Sequence, residues 1–218
     1  MVRSWRRTRS HPDAGFDPEE VGRLLLAGHA PPRVASVVNR LHVAVADIDL
    51  SSGIAAVWLA RQVRSRVTVQ DLQCYEMSSG TWQYLGRCGS IRSAARQKRV
   101  SAAALGPAHL LQVEGSCASR DLAWRAGRPL SERDAWSLED CWIGCTTLRV
   151  ATEVARVQVS GRQIVVPAHG HVVVAWKARS AVPHLRRPRI TALDGTGNVL
   201  TELGPGNYLD TATMAAIT

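Results

Sequence analysis

The cysteines are the residues of this 218-residue chain with the widest choice of chemistry, since a thiol can form a disulfide, bind a metal or act as a nucleophile. Cys74 and Cys88 lie on either side of Ser79-Gly80, a pair that favours a hairpin turn. Two cysteines placed in this way could face each other across the strands. In an exported protein, Cys74–Cys88 is therefore the first disulfide we would expect.

The remaining cysteines give no second pairing. Cys141 and Cys145 are separated by three residues, but no further cysteine pair or suitably spaced histidine accompanies them, so the match to a zinc motif is poor. Cys117 has no cysteine near it in the sequence. Without an export signal, we expect reduced thiols that pack as small apolar side chains.

His169 and His171 are the other candidate metal ligands. Residues two apart in a strand point to the same side, so both imidazoles could bind one zinc ion, with Cys141, Cys145 or Asp194 completing the site. The surrounding segment, Pro167-Ala168-His169-Gly170, is typical of a turn, which favours two hydrogen-bonded histidines instead. No metal and no cofactor is predicted.

Paired carboxylates are a further possible source of chemistry. Asp47 and Asp49 share one face of an alternating stretch and could act as such a pair, although acidic residues at a solvated strand end are commoner. The chain contains no G-x-S-x-G, no G-x-G-x-x-G and no H-E-x-x-H sequence. We therefore expect that the protein is not an enzyme.

The net charge of +9 comes from 27 basic and 18 acidic residues. Arginine supplies 25 of the basic residues and lysine only 2, a ratio typical of a bacterial genome rich in G and C. Segments 3–9, 87–99 and 179–189 are basic and contain no acidic residue. The candidate residues for binding a partner or an anion are Arg92, Arg96, Lys98, Arg99, Arg186, Arg187 and Arg189.

The chain contains seven tryptophans and only one phenylalanine. Four of them, Trp58, Trp82, Trp142 and Trp176, lie in alternating apolar stretches, where core packing is expected. Trp124 and Trp136 lie in an irregular, charge-balanced segment and are the candidates for stacking on sugars or nucleobases.

The elements that must position these residues are mostly strands. After a basic tail (1–16), Asp17-Pro18 predicts the start of a short helix, which a proline-rich connector follows as far as residue 37. Residues 38–204 alternate in short stretches between Gly-, Ser- and Asp-bearing turns. This pattern predicts an antiparallel β-sandwich of nine or ten strands, immunoglobulin-like or jelly-roll-like. Residues 89–108 are predicted as a loop or an Ala-rich helix, 118–140 as an irregular crossover and 205–218 as a tail.

The function favoured by these features is that of a non-enzymatic binding or assembly module. Its basic loops would contact a partner protein, a second copy of the chain or an anionic surface. Nucleic-acid binding through 87–99 and 179–189 is one alternative, and carbohydrate binding by exposed tryptophan is another. No signal peptide and no stretch of 18 apolar residues is evident, so we expect a cytoplasmic protein without a membrane span.

Overall fold

The computed structural model describes residues 18–28, 42–64, 67–93, 101, 110–120, 141–179, 187–207 and 211. The helix and strands within them are α1 (Pro18–Leu26), β1 (His42–Asp49), β2 (Ile54–Arg64), β3 (Val67–Ser78), β4 (Thr81–Ser93), β5 (Leu111–Arg120), β6 (Cys141–Val150), β7 (Arg156–Val159), β8 (Arg162–Val165), β9 (His171–Arg179), β10 (Ile190–Leu193) and β11 (Val199–Leu203).

The strands form three antiparallel sheets. Sheet A has the order β1-β2-β3-β4, sheet B the order β5-β6-β9 and sheet C the order β11-β10-β7-β8. The prediction of an all-β fold is confirmed. The described residues hold eleven strands in three sheets, where the sequence predicted a sandwich of nine or ten.

Helix α1 covers one face of sheet A. It begins at Pro18, as predicted, and carries Glu19 and Glu20 in its first turn, where carboxylates favour the positive end of the helix dipole. Leu26 at its end joins a buried cluster with Val57 of β2 and neighbouring residues of sheet A. The amphipathic stripe of this short helix is thereby buried.

The opposite face of sheet A packs on sheet B. Because side chains alternate across a strand, one face of sheet A supplies a second apolar set from β2, β3 and β4. This set meets residues of β6 and β9, and the shared cluster consists of Ile54, Ala56, Trp58, Ala60, Leu72, Cys74, Leu85, Ile143, Cys145, Val173 and Ala175. The candidate site lies in this layer.

Strands β6 and β9 of sheet B are buried on both faces over much of their length, because sheet C covers the side of sheet B that faces away from sheet A. Leu148 of β6 and Val172 of β9 pack there against Val157, Ile190 and other residues of sheet C. As a result, β9 is continuously buried from residue 171 to residue 176, and β6 from residue 143 to residue 148. A strand covered on both faces shows a continuous apolar stretch instead of alternating apolar and polar residues.

Two predicted boundaries were wrong. Strand β4 continues to Ser93 by pairing with the start of β3, through residues that were predicted as a loop or helix. Strand β5 continues to Arg120, past the predicted start of the crossover at residue 118. In both places, backbone hydrogen bonds to a partner strand outweigh the weak strand preference of small and polar residues.

Several predicted segments lie outside the described residues, namely the tail 1–16, the proline-rich connector over 29–37 and the crossover beyond residue 120. No helix in the described part of the chain has the length and apolarity needed to cross a membrane.

Candidate metal centre

Three cysteine sulfurs from three different strands meet between sheets A and B. Cys145 Sγ lies 3.1 Å from Cys74 Sγ and 3.3 Å from Cys117 Sγ, and the third sulfur–sulfur distance is 3.8 Å. Cys74 belongs to β3, Cys117 to β5 and Cys145 to β6. We call these three residues the cysteine cluster.

The strand register explains how the cluster forms. Cys117 and Cys145 are direct partners across β5 and β6, so their side chains lie on the same face of sheet B. Cys74 reaches them from the facing side of sheet A. The residues beside Cys74 in register are Ala56 on β2 and Gly86 on β4, and their small size leaves room for the sulfurs.

The cluster lies in apolar surroundings. Cys145 has no exposed surface and Cys74 is 1% exposed, whereas Cys117 is partly exposed. Burial raises the pKa of the Cys145 thiol, and the Cys117 and Cys74 thiols beside it raise that pKa further. Without a cation the neutral thiol is therefore favoured, while a bound metal ion would stabilise the thiolate.

The sulfur spacing is close to that of a metal site. With Zn–S bonds of about 2.3 Å and tetrahedral angles, sulfurs on one zinc ion lie about 3.8 Å apart. The Cys74–Cys117 distance of 3.8 Å equals that value, whereas the distances from Cys145 Sγ, 3.1 and 3.3 Å, are shorter, so Cys145 Sγ would move away from the other two sulfurs to hold an ion. Within the described ranges, the cluster is the group of metal-ligating side chains close enough to share an ion. Soft thiolate ligands select Zn²⁺, Cu⁺ or an iron–sulfur cluster.

The predicted Cys74–Cys88 disulfide does not agree with the register. Gly86 lies opposite Cys74, and Cys88 lies opposite Leu72, so the two cysteines are diagonal neighbours. Diagonal Cα atoms are about 7–8 Å apart, beyond the limit of about 6.8 Å for a disulfide. Cys74 is a thiol in the structure, and the side chain of Cys88 lies outside the described residues.

The predicted histidine pair is held by other contacts. His169 Nδ1 accepts a hydrogen bond of 3.1 Å from the backbone NH of His171. The His171 ring is buried, packs edge-on against Trp58 at 4.7 Å and has Nδ1 3.7 Å from Glu114 Oε2. The turn predicted at this point is present, since Gly170 NH donates to the Pro167 carbonyl.

Of the three residues proposed to complete a histidine site, Cys145 belongs to the cysteine cluster instead. Asp194 closes the β10–β11 turn by accepting hydrogen bonds from Thr196 and Asn198, contacts that lower its pKa to about 2. Cys141 lies four residues before Cys145, on the same strand. Among the described residues, the structure brings neither Asp194 nor Cys141 into a metal-ligating group with the histidines.

The acidic pair was expected at a solvated strand end, and this expectation is wrong. Asp47 and Asp49 are 6% and 5% exposed, because the β7–β8 hairpin lays Arg162 over them. Arg162 Nη1 donates to both carboxylate oxygens of Asp47 at 2.9 Å, and Arg162 Nε lies 3.3 Å from Asp49 Oδ2. Asp47 also accepts a hydrogen bond of 2.7 Å from the Ala175 NH. Asp47 of sheet A is thus bonded both to Ala175 of sheet B and to Arg162 of sheet C.

The described basic candidates also make internal contacts. Arg187 is 6% exposed and donates to the Gly204 and Asn207 carbonyls, so it is part of the core and not of a basic surface. Arg189 pairs with Glu202. The candidates that lie outside the described residues are Arg96, Lys98, Arg99, Arg186, Trp124 and Trp136, together with the side chain of Arg92.

Sequence reasoning did not find the cysteine cluster, because its members are 28 and 43 residues apart. The sequence shows that Cys74 shares a strand face with Leu72, whereas the alanine and glycine beside it follow only from the strand register. Comparisons of this chain with protein-family models, with curated proteins and with solved structures gave no match.

Proposed function

We propose that this protein binds a thiophilic metal ion, Zn²⁺ in the first place, through Cys74, Cys117 and Cys145. The observation that carries the proposal is the convergence of three sulfurs within 3.8 Å of one another from two different sheets. Since neither sheet contains all three ligands, the ion would cross-link sheets A and B.

Burial favours a structural role for the ion. Cys74 and Cys145 lie inside an apolar layer that also contains Leu72, Ile143 and Val173. Catalytic zinc sites keep a coordination position open to water or substrate, whereas structural sites are closed by protein ligands. The three cysteines fill three positions of a tetrahedral ion, and the burial of Cys74 and Cys145 is what favours a structural role.

Zinc is the first choice among the soft metals for a physical reason. Zn²⁺ has no redox chemistry and no geometric preference of its own, so it adapts to the arrangement of sulfurs that the strands impose. Three ligands around a single point also suit one ion better than a polynuclear iron–sulfur cluster, which requires several irons held by four protein ligands.

Metal analysis tests the proposal. The chain is purified without a histidine tag from zinc-supplemented medium, and elemental analysis is expected to find one zinc per chain. Cys145→Ser should lose the metal, because it removes the sulfur that contacts both others. Cys141→Ser, a change of the same chemistry on the same strand outside the cluster, should keep it. Metal-free wild-type protein after zinc titration would overturn the proposal.

The sequence-based expectation of a binding or assembly module is compatible with a structural metal and stays a prediction. It concerns the basic segments 87–99 and 179–189, most of whose side chains lie outside the described residues. Binding to a polyanion such as heparin or DNA that falls steeply with salt would support it.

A further inference from the structure

Two of the three edges of the cysteine cluster are shorter than the sulfur spacing of a zinc site. Cys145 Sγ lies 3.1 Å from Cys74 Sγ and 3.3 Å from Cys117 Sγ. We infer that the same three cysteines bind trivalent arsenic, supplied as arsenous acid, through three As–S bonds. This inference goes beyond the zinc proposal, because it adds a second ligand to the cluster and does not depend on zinc uptake.

The first argument is the bond angle at the central atom. Trivalent arsenic keeps a lone pair, which pushes its three bonds together into a pyramid whose angles lie near a right angle. With bonds of about 2.3 Å, a right angle separates two sulfurs by about 3.3 Å, whereas a tetrahedral angle separates them by about 3.8 Å. The two edges at Cys145, 3.1 and 3.3 Å, therefore match a pyramidal centre better than a tetrahedral one.

The second argument is which sulfur has to move. The third edge, Cys74–Cys117, is 3.8 Å long and must shorten to hold arsenic. Cys117 is partly exposed and lies on β5, an edge strand in the described part of sheet B, so its side chain has room to turn toward Cys74. Zinc instead requires movement of Cys145, which is fully buried on the central strand β6 between Cys117 and Ala175.

The third argument is the number of ligands. Pyramidal arsenic is complete with three sulfurs, because its lone pair takes the fourth position. A structural zinc ion takes four protein ligands. Within the described ranges, the metal-ligating group consists of Cys74, Cys117 and Cys145. These three side chains are therefore sufficient for arsenic.

The fourth argument is the net charge of the complex. Cys74 and Cys145 lie in a layer with Leu72, Ile143 and Val173, all of them apolar. Three thiolates on Zn²⁺ carry a net charge of −1, and burial of a net charge in apolar surroundings costs free energy. Three thiolates on trivalent arsenic form a neutral complex. The apolar layer therefore favours arsenic over zinc.

The reaction is a condensation without electron transfer. One As(OH)₃ reacts with three thiols, three As–O and three S–H bonds break, and three As–S bonds and three water molecules form. Each thiol proton leaves with one hydroxide of the arsenic, which stays trivalent. Cys117 is the accessible member of the cluster, so the first As–S bond is expected there.

Native mass spectrometry of the full chain tests the inference. The protein is freed of metal with a chelator, reduced with a phosphine, since a dithiol would itself bind arsenic, and incubated with sodium arsenite. Each As–S bond releases one thiol hydrogen, so three bonds should raise the mass by one arsenic less three hydrogens. Cys141→Ser, a change on the same strand as Cys145 but outside the cluster, should give the same product. Cys117→Ser should form only two As–S bonds and keep one hydroxide on the arsenic.

The outcomes separate this inference from the zinc proposal. Wild-type protein that takes up no arsenic, or a Cys117→Ser protein that still forms three bonds, would overturn the inference, and zinc uptake by the same wild-type sample would leave the zinc proposal standing. Arsenic held by three bonds in a protein that takes up no zinc would support the inference and overturn the zinc proposal.

Alkylation gives a second measurement that needs no variant. Wild-type protein with and without arsenite is treated with iodoacetamide, and the modified peptides are followed by mass spectrometry. Cys117 and Cys141 are both partly exposed, so they form a matched pair. Cys117 should be alkylated in the free protein and protected in the arsenic form, whereas Cys141 should react equally in both. Equal alkylation of Cys117 in both forms, from protein shown to hold arsenic, would rule it out as a ligand.

Discussion

Serine in place of Cys145 is the most informative single change in this molecule. Cys145 is fully buried and contacts both other sulfurs of the cluster, at 3.1 and 3.3 Å, so its loss removes a ligand and breaks both contacts. The proposed ion links two sheets in the folded chain only. Its binding free energy therefore adds to the free energy of unfolding, and Cys145→Ser should remove most of that contribution.

The magnitude follows from mass action. At free zinc about 1,000 times the dissociation constant, a ligand that binds only the folded state stabilises it by about 4 kcal/mol. Loss of an outer-sphere contact weakens metal binding by up to about 100-fold, so the loss of a ligand in Cys145→Ser should weaken it by at least that factor. The same zinc concentration then exceeds the new constant at most about tenfold, and the stabilisation falls to about 1.4 kcal/mol or less. A difference of at least about 2.7 kcal/mol is well within reach of denaturant titration.

The assay is guanidinium unfolding followed by tryptophan fluorescence, at buffered free zinc and in a chelator. Wild type and Cys141→Ser should show the full zinc-dependent shift, and Cys145→Ser only the remainder. A serine hydroxyl at this fully buried position should also lower the free energy of unfolding by roughly 1–3 kcal/mol when zinc has been removed by the chelator. For this reason the comparison uses the zinc-dependent difference in stability and not the absolute stability. An unfolding midpoint of wild type that does not respond to zinc, or an equal shift in Cys145→Ser, would refute the reasoning.

Three further outcomes are expected. Arg162→Met removes the guanidinium nitrogen that donates to both oxygens of the buried Asp47 carboxylate, and it should lower the free energy of unfolding, measured in urea, by about 3–5 kcal/mol; a loss below about 1 kcal/mol would contradict this role of Arg162. Gly22→Ala places a Cβ 2.2 Å from the buried Tyr75 hydroxyl, so it should lower the free energy of unfolding by about 1–3 kcal/mol although alanine favours helix more than glycine does. An unchanged Tm would be inconsistent with this close approach. Hydrogen bonds within the β10–β11 turn lower the pKa of Asp194 in the folded state to about 2. The stability that these bonds contribute is therefore present above about pH 4 and is lost as the pH falls through 2, and an NMR titration midpoint near 4 would exclude the bonds.

Local signals made the helix and the turns predictable. Pro18 followed by two acidic residues marked the start of α1, and Asp194 to Asn198 marked the connection between β10 and β11. Such patterns depend on residues within a few positions of each other, so they can be interpreted without knowing the rest of the fold. Core positions of Trp58 and Trp176 followed from alternation in the same way.

Burial of polar residues was harder to predict, since it depends on which element covers a strand. Asp47 shares a face of β1 with Val45, which packs in the layer between sheets A and B, and its burial there depends on the distant Arg162 and Ala175. Burial raises the pKa of Asp47, and the Ala175 NH and the Arg162 guanidinium oppose that effect. Residues 115 positions apart in the chain cannot reveal this contact through any local pattern.

The sequence by itself determined the class of the protein: strands and turns of an all-β chain, a short helix in front, and cysteines placed on strands. The tertiary structure alone decided which cysteines meet. Periodicity states which side of a strand a residue occupies, whereas the distance between sulfurs depends on strand register within two sheets and on how those sheets face each other. Both are set by contacts between residues far apart in the chain, and this is why the sequence could relate Cys74 only to Cys88 across a local hairpin, while the fold gathers Cys74, Cys117 and Cys145.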